Sequence, residues 1–249
     1  MREPDAFFAD PRQAALYDAL DGDRTDLDAY VAIVEDVGAR TVVDVGCGTG
    51  CLAVRLAEAG RYVTAVDPAA ASLAVARAKP YADRVTWVHA DATALRAMPL
   101  YADLAVMTGN VAQVFVDDAD WSATLAAVAS VVRPGGWFVF ETRRPEARDW
   151  ERWDVHPTEV LLPDGRTAVV ERTVTEVALP LVTFRGATTI GGEVLRSSYT
   201  LRFRTCEEVE GDLVRHGFQI TDVRQAPDRP DKEYVFLARR EHPPRYSEA

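Results

Sequence analysis

The sequence predicts an α/β fold in which a parallel sheet carries helices on both faces. Over residues 12–142, short runs rich in β-branched residues alternate with longer segments of helical periodicity. Strand–helix–strand units of this kind close through right-handed crossovers, which place their strands in parallel. The first strand, 41–45, leads directly into a glycine-rich turn, and its Val residues suit a strand that is covered on both faces.

Each predicted element has a local signal. The strands are short apolar runs, whereas the segment 26–37 has apolar residues three and four positions apart and is followed by Gly38, which ends helices readily. The sequence Arg-Pro-Gly-Gly at 133–136 stops the helix before it. The predicted strands are 41–45, 62–66, 84–88, 103–108, 137–141, 218–223 and 233–237, the last of them antiparallel, and the predicted helices are 11–20, 26–37, 52–59, 69–79, 120–132 and 206–216.

The composition changes after about residue 145. The segments 160–162, 168–177, 181–190 and 194–204 are rich in Val, Thr and aromatic residues. Pro163-Asp164-Gly165 and Gly191-Gly192 are typical of hairpin turns. We therefore predict an antiparallel insertion of three or four strands that lies over the ligand cleft.

Charge and cysteine content limit the class of partner. The 249 residues carry a formal net charge of −11, which disfavours nucleic acid because phosphate contacts supply most of that affinity. Three cysteines, Cys47, Cys51 and Cys206, form neither a disulfide framework nor a metal set. Without an apolar run long enough for a bilayer or an apolar leader core at the N-terminus, the expected compartment is the reduced cytoplasm.

The glycine-rich turn is the strongest functional signal. Gly46, Gly48 and Gly50 lack Cβ atoms where the chain turns into the next helix, and the exposed N–H groups of such a turn suit a polar or anionic cofactor group. The dinucleotide fingerprint G-x-G-x-x-G would require glycine at position 51, where this chain has Cys51. A tight turn without a ligand is the alternative interpretation of the glycines alone.

The sequence Asp-Val-Gly-Cys-Gly-Thr-Gly at 44–50 resembles the first motif of class I S-adenosylmethionine (SAM) dependent methyltransferases. The Arg-Pro-Gly-Gly turn at 133–136 resembles the turn after the fourth helix of that family. The N-terminal helices, the insertion and Leu-Arg-Phe-Arg-Thr at 201–205 resemble bacterial small-molecule methyltransferases, including amino-sugar and glycine N-methyltransferase-like enzymes. The resemblance covers residues 12–142 with ordered motifs, and residues 205–240 more weakly.

This resemblance implies a Rossmann-like seven-stranded methyltransferase sheet in the order 3-2-1-4-5-7-6, with an antiparallel β insertion after strand 5. Residues 1–144 and 205–240 would form the SAM-binding core, with helices in 11–38 as a lid. Residues 145–204 would form the substrate cap, and 241–249 a tail.

The resemblance also implies the cofactor, SAM, its product S-adenosylhomocysteine, and the residues that bind them. Asp67, about twenty positions beyond the first strand, has the place of a ribose hydroxyl acceptor. Asp91 would accept a hydrogen bond from the adenine amino group. The alternative for Asp67 is a helix N-cap, and the alternative for Asp91 is a surface turn. The implied cofactor-binding residues are Gly46, Cys47, Gly48, Gly50, Asp67, Pro68, Asp91, Ala92, Thr108 and Asn110.

The acceptor side carries weaker signals. The loop 109–113, Gly-Asn-Val-Ala-Gln, lacks the (Asn/Asp)-Pro-Pro-aromatic motif of nucleobase and amide methyltransferases. No catalytic residue is assigned, and the candidates are Tyr17, His156, Glu141 and Arg143. The alternative for Tyr17 is packing on the core, and the alternative for His156 is a structural role. For Glu141 and Arg143 the alternative is an ion pair at the end of the strand. No Asp, Glu and His set indicates a metal.

The sequence therefore favours methyl transfer from SAM to nitrogen or oxygen of a small-molecule acceptor, mainly by proximity and in-line alignment. The alternatives are a SAM-binding protein of the same fold with other chemistry or a regulatory role, and an NAD-dependent oxidoreductase. We expect a monomer or homodimer without nucleic-acid or membrane partners.

Overall fold

The computed structural model describes residue 4 and residues 6–20, 22, 24–162 and 164–242. Within these residues, eleven strands form a seven-stranded sheet and a separate four-stranded antiparallel sheet. The strands are β1 (Thr41–Val45), β2 (Tyr62–Asp67), β3 (Val85–His89), β4 (Ala102–Met107), β5 (Val132–Arg143), β6 (Val155–Leu161), β7 (Thr167–Ala178), β8 (Leu181–Ile190), β9 (Glu193–Arg202), β10 (Phe218–Arg224) and β11 (Glu233–Arg240).

The seven-stranded sheet has the order β10-β11-β5-β4-β1-β2-β3. Strands β1 to β5 pair in parallel, and β11 is antiparallel to both β5 and β10. Because β10 and β11 are the sixth and seventh strands of this sheet along the chain, the predicted order 3-2-1-4-5-7-6 and the α/β fold class are confirmed. The chain reverses its direction of strand addition between β1 and β4, where ligands of such folds bind.

Seven α-helices lie within the described residues: α1 (Ala6–Ala9), α2 (Pro11–Leu20), α3 (Asp28–Asp36), α4 (Cys51–Glu58), α5 (Ala70–Arg77), α6 (Asp118–Val131) and α7 (Cys206–Arg215). The segment predicted as one helix over 26–37 begins with a 3-10 turn, Thr25–Leu27, before α3. Helix α7 starts with a capping box, in which the Thr205 hydroxyl and the Glu208 carboxylate bind each other's backbone N–H groups.

The parallel strands are buried on both faces. Val43 and Val45 of β1 face the cluster that contains α6 and α7, whereas Val42 faces the cluster that contains α3 and α4. This alternation follows from the two-residue period of a strand. It explains why these strands consist of nearly continuous apolar residues.

Strand β5 begins at Val132, earlier than the predicted 137–141 strand. Ala102 pairs with Val132 and Leu104 pairs with Trp137, so residues 133–136 bulge out of the ladder. The Asp103 carboxylate holds this end of the sheet, because it accepts from the Arg40 and Thr41 N–H groups at 2.8 and 3.0 Å and from Arg133 Nε at 2.6 Å.

The four-stranded sheet has the order β6-β7-β8-β9 and a small core of its own, which includes Trp150, Phe184 and Phe203. Leu16 of α2 packs with Leu162 and Ala168 of this sheet. The antiparallel insertion after strand 5 is therefore confirmed as part of the fold. The predicted hairpin turn at 163–165 lies partly outside the described residues, as does most of the predicted tail 241–249.

The aromatic stack around Phe140 should be a major source of stability. This ring is fully buried and stacks with Phe138 at 4.6 Å and Phe236 at 5.2 Å between ring centroids. We expect Phe140→Ala to lower the free energy of unfolding by about 3–5 kcal/mol in denaturant titrations. Tyr62→Ala, at a side chain that is 75% exposed, is the control and should change it by less than about 0.5 kcal/mol. Equal effects of the two substitutions would contradict this account of the core.

Candidate active site

A cavity of about 930 Å³ lies where the carboxyl ends of β1 and β4 meet the four-stranded sheet. One wall consists of residues 46–49 of the glycine loop and the segments that follow β2, β3 and β4. The opposite wall consists of residues of β6 to β9, and helices α1 and α2 contribute side chains at one side. Its volume is at the upper end of the range for small-molecule sites, about 300–1,000 Å³.

The three glycines of the loop have positive φ angles, but they serve different needs. A Cβ on Gly46 would meet Val111 at 2.6 Å, and one on Gly50 would meet Trp87 at 2.5 Å. Gly48 has nothing within 4 Å of its Cβ position and lines the cavity. Gly46 and Gly50 thus allow close packing behind the loop, while Gly48 is the glycine that leaves space for a ligand. Gly50 does not line the cavity.

Asp67, at the end of β2, connects the glycine loop to the turn that precedes α5. Its Oδ2 accepts from the Gly48 N–H at 2.8 Å, and its Oδ1 accepts from the Ala69 N–H at 2.7 Å, just before α5. The side chain lines the cavity and is 8% exposed, and burial raises the pKa of its carboxyl. Asp67 is not the N-cap of α5, which is Ala69. Its contacts hold the turn before this helix, and each carboxylate oxygen retains a lone pair for a ligand.

Asp44 is a further residue of the site that the sequence analysis treated only as part of the glycine motif. It is 1% exposed at the cavity wall, and its Oδ1 has no hydrogen-bond partner among the described residues. Burial, with the nearby Asp67 charge, raises the pKa of Asp44 to about 7. An unpartnered buried carboxyl oxygen is costly, and a polar or cationic ligand group in the cavity would satisfy it. The sequence signal that could have indicated Asp44 as a site residue is its position as the one acidic residue within the buried strand Val42–Val45.

Asp91 begins the 3-10 segment Ala92–Ala97 that follows β3. Its Oδ1 accepts from the Thr93 N–H at 3.0 Å and from the Thr93 hydroxyl, and this hydroxyl lowers the pKa of Asp91. The predicted cofactor residues that line the cavity are Gly46, Cys47, Gly48, Asp67, Pro68, Asp91, Ala92, Thr108 and Asn110. The fold therefore brings these nine predicted residues to one cavity. Among them, Cys47 has a thiol whose pKa is raised by burial.

Glu141 of β5 holds the loop after β4 through hydrogen bonds to its backbone. Its Oε1 accepts from the Gly109 and Asn110 N–H groups at 2.7 and 3.1 Å, and its Oε2 accepts from the Tyr30 hydroxyl. The Glu141 side chain is 1% exposed and does not line the cavity. The structure thus places this candidate as a support of the loop, at hydrogen-bond distance from the backbone of the predicted cofactor residue Asn110.

Glu233 of β11 completes this support and had no signal in the sequence. Its Oε1 accepts from Asn110 Nδ2 at 2.7 Å and from Arg229 Nη1 at 3.0 Å. Burial, and then the charge of Glu141, raise the pKa of Glu233 to about 7. The contact fixes the orientation of the Asn110 amide, although 123 positions separate the two residues.

Arg143, at the end of β5, reaches the cavity. Its Nη1 donates to Gln113 Oε1 at 2.8 Å, its Nε lies 3.8 Å from Glu233 Oε1, and its guanidinium carbon is 5.0 Å from the Trp153 ring centroid. Burial lowers the pKa of Arg143. The ion pair of Arg143 is thus long and is made with Glu233 of β11, not with Glu141, the other candidate at this strand end. The guanidinium also lies over the ring of Trp153, which precedes β6.

Helix α2 is joined to the glycine loop by polar contacts. Asp18 accepts from the Thr49 hydroxyl at 2.5 Å and forms an ion pair with Lys79 Nζ at 2.6 Å. Tyr17, on the same helix, lines the cavity and contacts the Phe8 ring. His156 is exposed on β6 and does not line the cavity, so the structure does not bring this candidate to the other site residues.

Two further features of the described residues bear on other functions. No group of three or more His, Cys, Asp or Glu side chains in this part of the chain could hold a metal ion. Among the helices that the structure describes, none has the length and apolar character needed to cross a membrane.

Comparison with known proteins identifies the family. The model of the family described as "Methyltransferase domain" matches residues 42–136. The cypemycin N-terminal methyltransferase of a Streptomyces species is 31% identical over 169 residues, which cover 65% of this chain and 67% of that protein. The chain spans about half or less of several other curated relatives that it matches.

Two solved structures share the fold. A SAM-dependent methyltransferase from Clostridium acetobutylicum superposes with a TM-score of 0.76 at 17% identity, covering 93% of this chain and 98% of that one. The SAM-bound amino pentose methyltransferase from Micromonospora echinaspora gives 0.70 at 21% identity, covering 91% and 95%.

The chain belongs to the class I SAM-dependent methyltransferases. The predicted cofactor, SAM, is confirmed by this membership. The cavity fits this cofactor, because it combines an open glycine with buried carboxyl groups that can accept hydrogen bonds from a polar, cationic ligand. The family also sets the NAD-dependent oxidoreductase alternative aside.

The open position of Gly48 can be tested directly. Gly48→Val places its side chain in the cavity without meeting protein atoms, so the variant should fold but lose measurable calorimetric binding of S-adenosylhomocysteine. Gly38→Val is a matched control, because Gly38 also has a positive φ and open space around its Cβ position but does not line the cavity. Each variant carries a backbone strain of roughly 1–2 kcal/mol. Wild-type affinity in Gly48→Val would show that the loop does not contact the cofactor.

The buried carboxyl of Asp44 should leave a signature in the pH dependence of stability. Its pKa rises from an ordinary value of 3.8 to about 7 on folding, so burying it becomes more costly as the pH rises between these values. Relative to wild type, Asp44→Asn should therefore gain free energy of unfolding from about pH 4 to about pH 7 and change little above.

Denaturant titrations of the ligand-free protein at several pH values measure this difference. Asp36→Asn, at an exposed carboxyl of α3 outside the cavity, is the matched control substitution. A difference between Asp44→Asn and wild type that stays constant over the range would contradict the assignment.

Proposed function

We propose that this protein transfers the methyl group of SAM to a nitrogen or oxygen atom of a small-molecule acceptor that binds beside the cofactor in the same cavity. The observation that carries the proposal is the composition of the cavity walls. Nine residues predicted for the cofactor face residues of the four-stranded sheet across a volume of about 930 Å³. A volume of this size has room for a cofactor together with a small acceptor.

Residues of the chain would hold the cofactor in the following way. The glycine loop, open at Gly48, would receive the methionine part, with the Asp44 carboxyl as acceptor for a polar group. Asp67 would accept from ribose hydroxyls, and Asp91 with the Ala92 N–H would contact the adenine. SAM, when bound, supplies a methyl group activated by a sulfonium.

We further propose that residues 145–204 form the substrate cap and that the helices in 11–38 act as a lid. The contribution of β6 to β9 to the cavity wall supports the first assignment. The ion pair of Asp18 with Lys79, and the packing of Leu16 on the four-stranded sheet, support the second. These contacts would exclude water from the cofactor and hold the acceptor in line with the methyl group.

A dedicated general base is not part of the proposal. Tyr17 and Arg143 line the cavity, whereas Glu141 and His156 do not. An arginine is a poor base because it stays protonated. We therefore attribute the rate enhancement mainly to proximity and orientation, which suffice for a neutral amine. The proton of the amine, or that of a hydroxyl acceptor, would pass to water.

Nitrogen is the first acceptor atom to test. The Streptomyces relative is named as an N-terminal methyltransferase, and the Micromonospora enzyme is named as an amino pentose methyltransferase. The formal charge of −11 supports a small molecule over nucleic acid. Free thiols at all three cysteines support a cytoplasmic location, and we expect a monomer or homodimer.

Calorimetric titration with SAM, S-adenosylhomocysteine and NAD is the first measurement. We expect micromolar affinity for the adenosyl compounds and none for NAD, followed by transfer of a radiolabelled methyl group to members of a panel of small amines and alcohols. The Gly48→Val variant is the inactive control, and Gly38→Val is the active one. Binding of the adenosyl compounds without transfer to any amine or alcohol would remove the acceptor assignment, and binding of NAD alone would remove the whole proposal.

A further inference from the structure

Two arginines and one tryptophan form a distinct feature of the acceptor side of the cavity. The guanidinium carbons of Arg143 and Arg172 lie 5.0 and 5.9 Å from the ring centroid of Trp153. All three side chains line the cavity. Arg143 belongs to β5 and Arg172 to β7, so both sheets contribute a cation to the same indole.

Each guanidinium is positioned by a polar contact that leaves donors available. Arg143 uses Nη1 for Gln113, and Arg172 uses Nε for the Trp153 carbonyl oxygen at 2.8 Å. Within the described part of the chain, Arg143 Nη2 and both terminal nitrogens of Arg172 have no hydrogen-bond acceptor. Arg143 keeps 23% of its side-chain surface accessible at the cavity wall.

Among the described residues, no carboxylate forms a close ion pair with Arg143 or Arg172. Glu233 lies 3.8 Å from Arg143 Nε but is closer, at 3.0 Å, to Arg229 Nη1. Glu171 also lines this wall, but its side chain is exposed and forms no ion pair with either arginine among the described residues. The acceptor side thus has available positive charge, in contrast to the carboxyl groups on the cofactor side.

This arrangement distinguishes between classes of acceptor. An exposed indole face would suit an ammonium group, but two guanidinium groups already lie against Trp153, and they repel a second cation. Guanidinium groups with free terminal donors instead match the oxygen atoms of a carboxylate or phosphate.

We propose that the acceptor carries an anionic carboxylate or phosphate group and that Arg143 and Arg172, positioned by Trp153, bind it. This inference rests on the proposed function, since it describes the acceptor of the same reaction. The anionic group would anchor the acceptor beside Trp153, between the end of β5 and the four-stranded sheet, so the nucleophile must belong to another part of the molecule. Methyl transfer itself leaves the anionic group unchanged.

Binding to the complex with S-adenosylhomocysteine tests the proposal. The probes are benzoate and phenyl phosphate, with benzamide as the neutral analogue and benzylamine as the cationic one. Calorimetry should show at least one acidic probe binding about tenfold or more tightly than benzamide, the size expected for a charge-assisted contact. The preferred acid separates a carboxylate site from a phosphate site.

Arg172→Gln is the informative variant, because Arg172 has no ion pair within the described part of the chain that its loss would break. We expect it to weaken binding of the preferred acid about tenfold, with unchanged affinity for benzamide and S-adenosylhomocysteine. Arg166→Gln is the matched control, since Arg166 belongs to the same insertion, pairs with Asp164 on the surface and does not line the cavity. Arg143→Gln repeats the test from β5.

Three outcomes would overturn the proposal while S-adenosylhomocysteine still binds. They are equal affinity for acids and benzamide, preference for benzylamine, and absence of binding of both acids at millimolar concentration. Unchanged acid affinity in both arginine variants would also overturn it. Loss of S-adenosylhomocysteine binding by the wild-type protein would instead refute the proposed function, so the two failures are distinguishable.

Discussion

The site depends on the bridge that the Asp67 carboxylate makes between two backbone N–H groups. One belongs to Gly48 in the loop after β1, and the other belongs to Ala69 before α5. The Gly46 and Cys47 N–H groups also bind the Val66 carbonyl oxygen, at 2.8 and 3.2 Å. Hydrogen bonds of the chain itself thus hold the loop against the end of β2, with the Gly48 Cβ position directed to open space. Preorganisation of this kind lowers the entropic cost of binding.

A second constraint concerns the buried charges beneath the loop after β4. Glu141 and Glu233 are each 1% exposed, and burial of two carboxylates near one another is unfavourable unless cations and hydrogen-bond donors compensate. Arg229, the Tyr30 hydroxyl and the backbone N–H groups of the loop compensate part of this cost. Glu233 Oε2 has no hydrogen-bond partner among the described residues, and the pKa of Glu233 remains raised. Apolar residues would stabilise this part of the core at lower cost. The polar network instead fixes the conformation of the loop that lines the cavity, in keeping with the observation that functional sites depart from the rules of stable packing.

The fold was largely predictable because its signals are local. The Val-rich strands, the turn at 133–136 and the glycine loop each depend on residues within a few positions, and the sheet order followed from the family resemblance and the topology rules. The role of each glycine was not predictable, because Val111 and Trp87, which pack on Gly46 and Gly50, lie far along the chain. The contacts of Glu233 and Asn110 across 123 positions likewise leave no local pattern. His156 was a candidate because of its residue type, but residue type alone does not indicate that its side chain is exposed outside the cavity.

The distribution of charge within the cavity connects these observations. Asp44, Asp67 and Asp91 lie at the wall formed by the parallel sheet, and Arg24, which lines the cavity near them, is paired with Asp26 at 3.0 Å. Arg143, at the end of β5, and Arg172, on β7 of the four-stranded sheet, instead place positive charge around Trp153. A sulfonium cofactor is attracted to the wall of the parallel sheet, and an acceptor with an anionic group would be attracted to the two arginines. Opposite charges would then orient the two reactants before their reacting atoms meet, which is the contribution that a transferase without a dedicated base requires most.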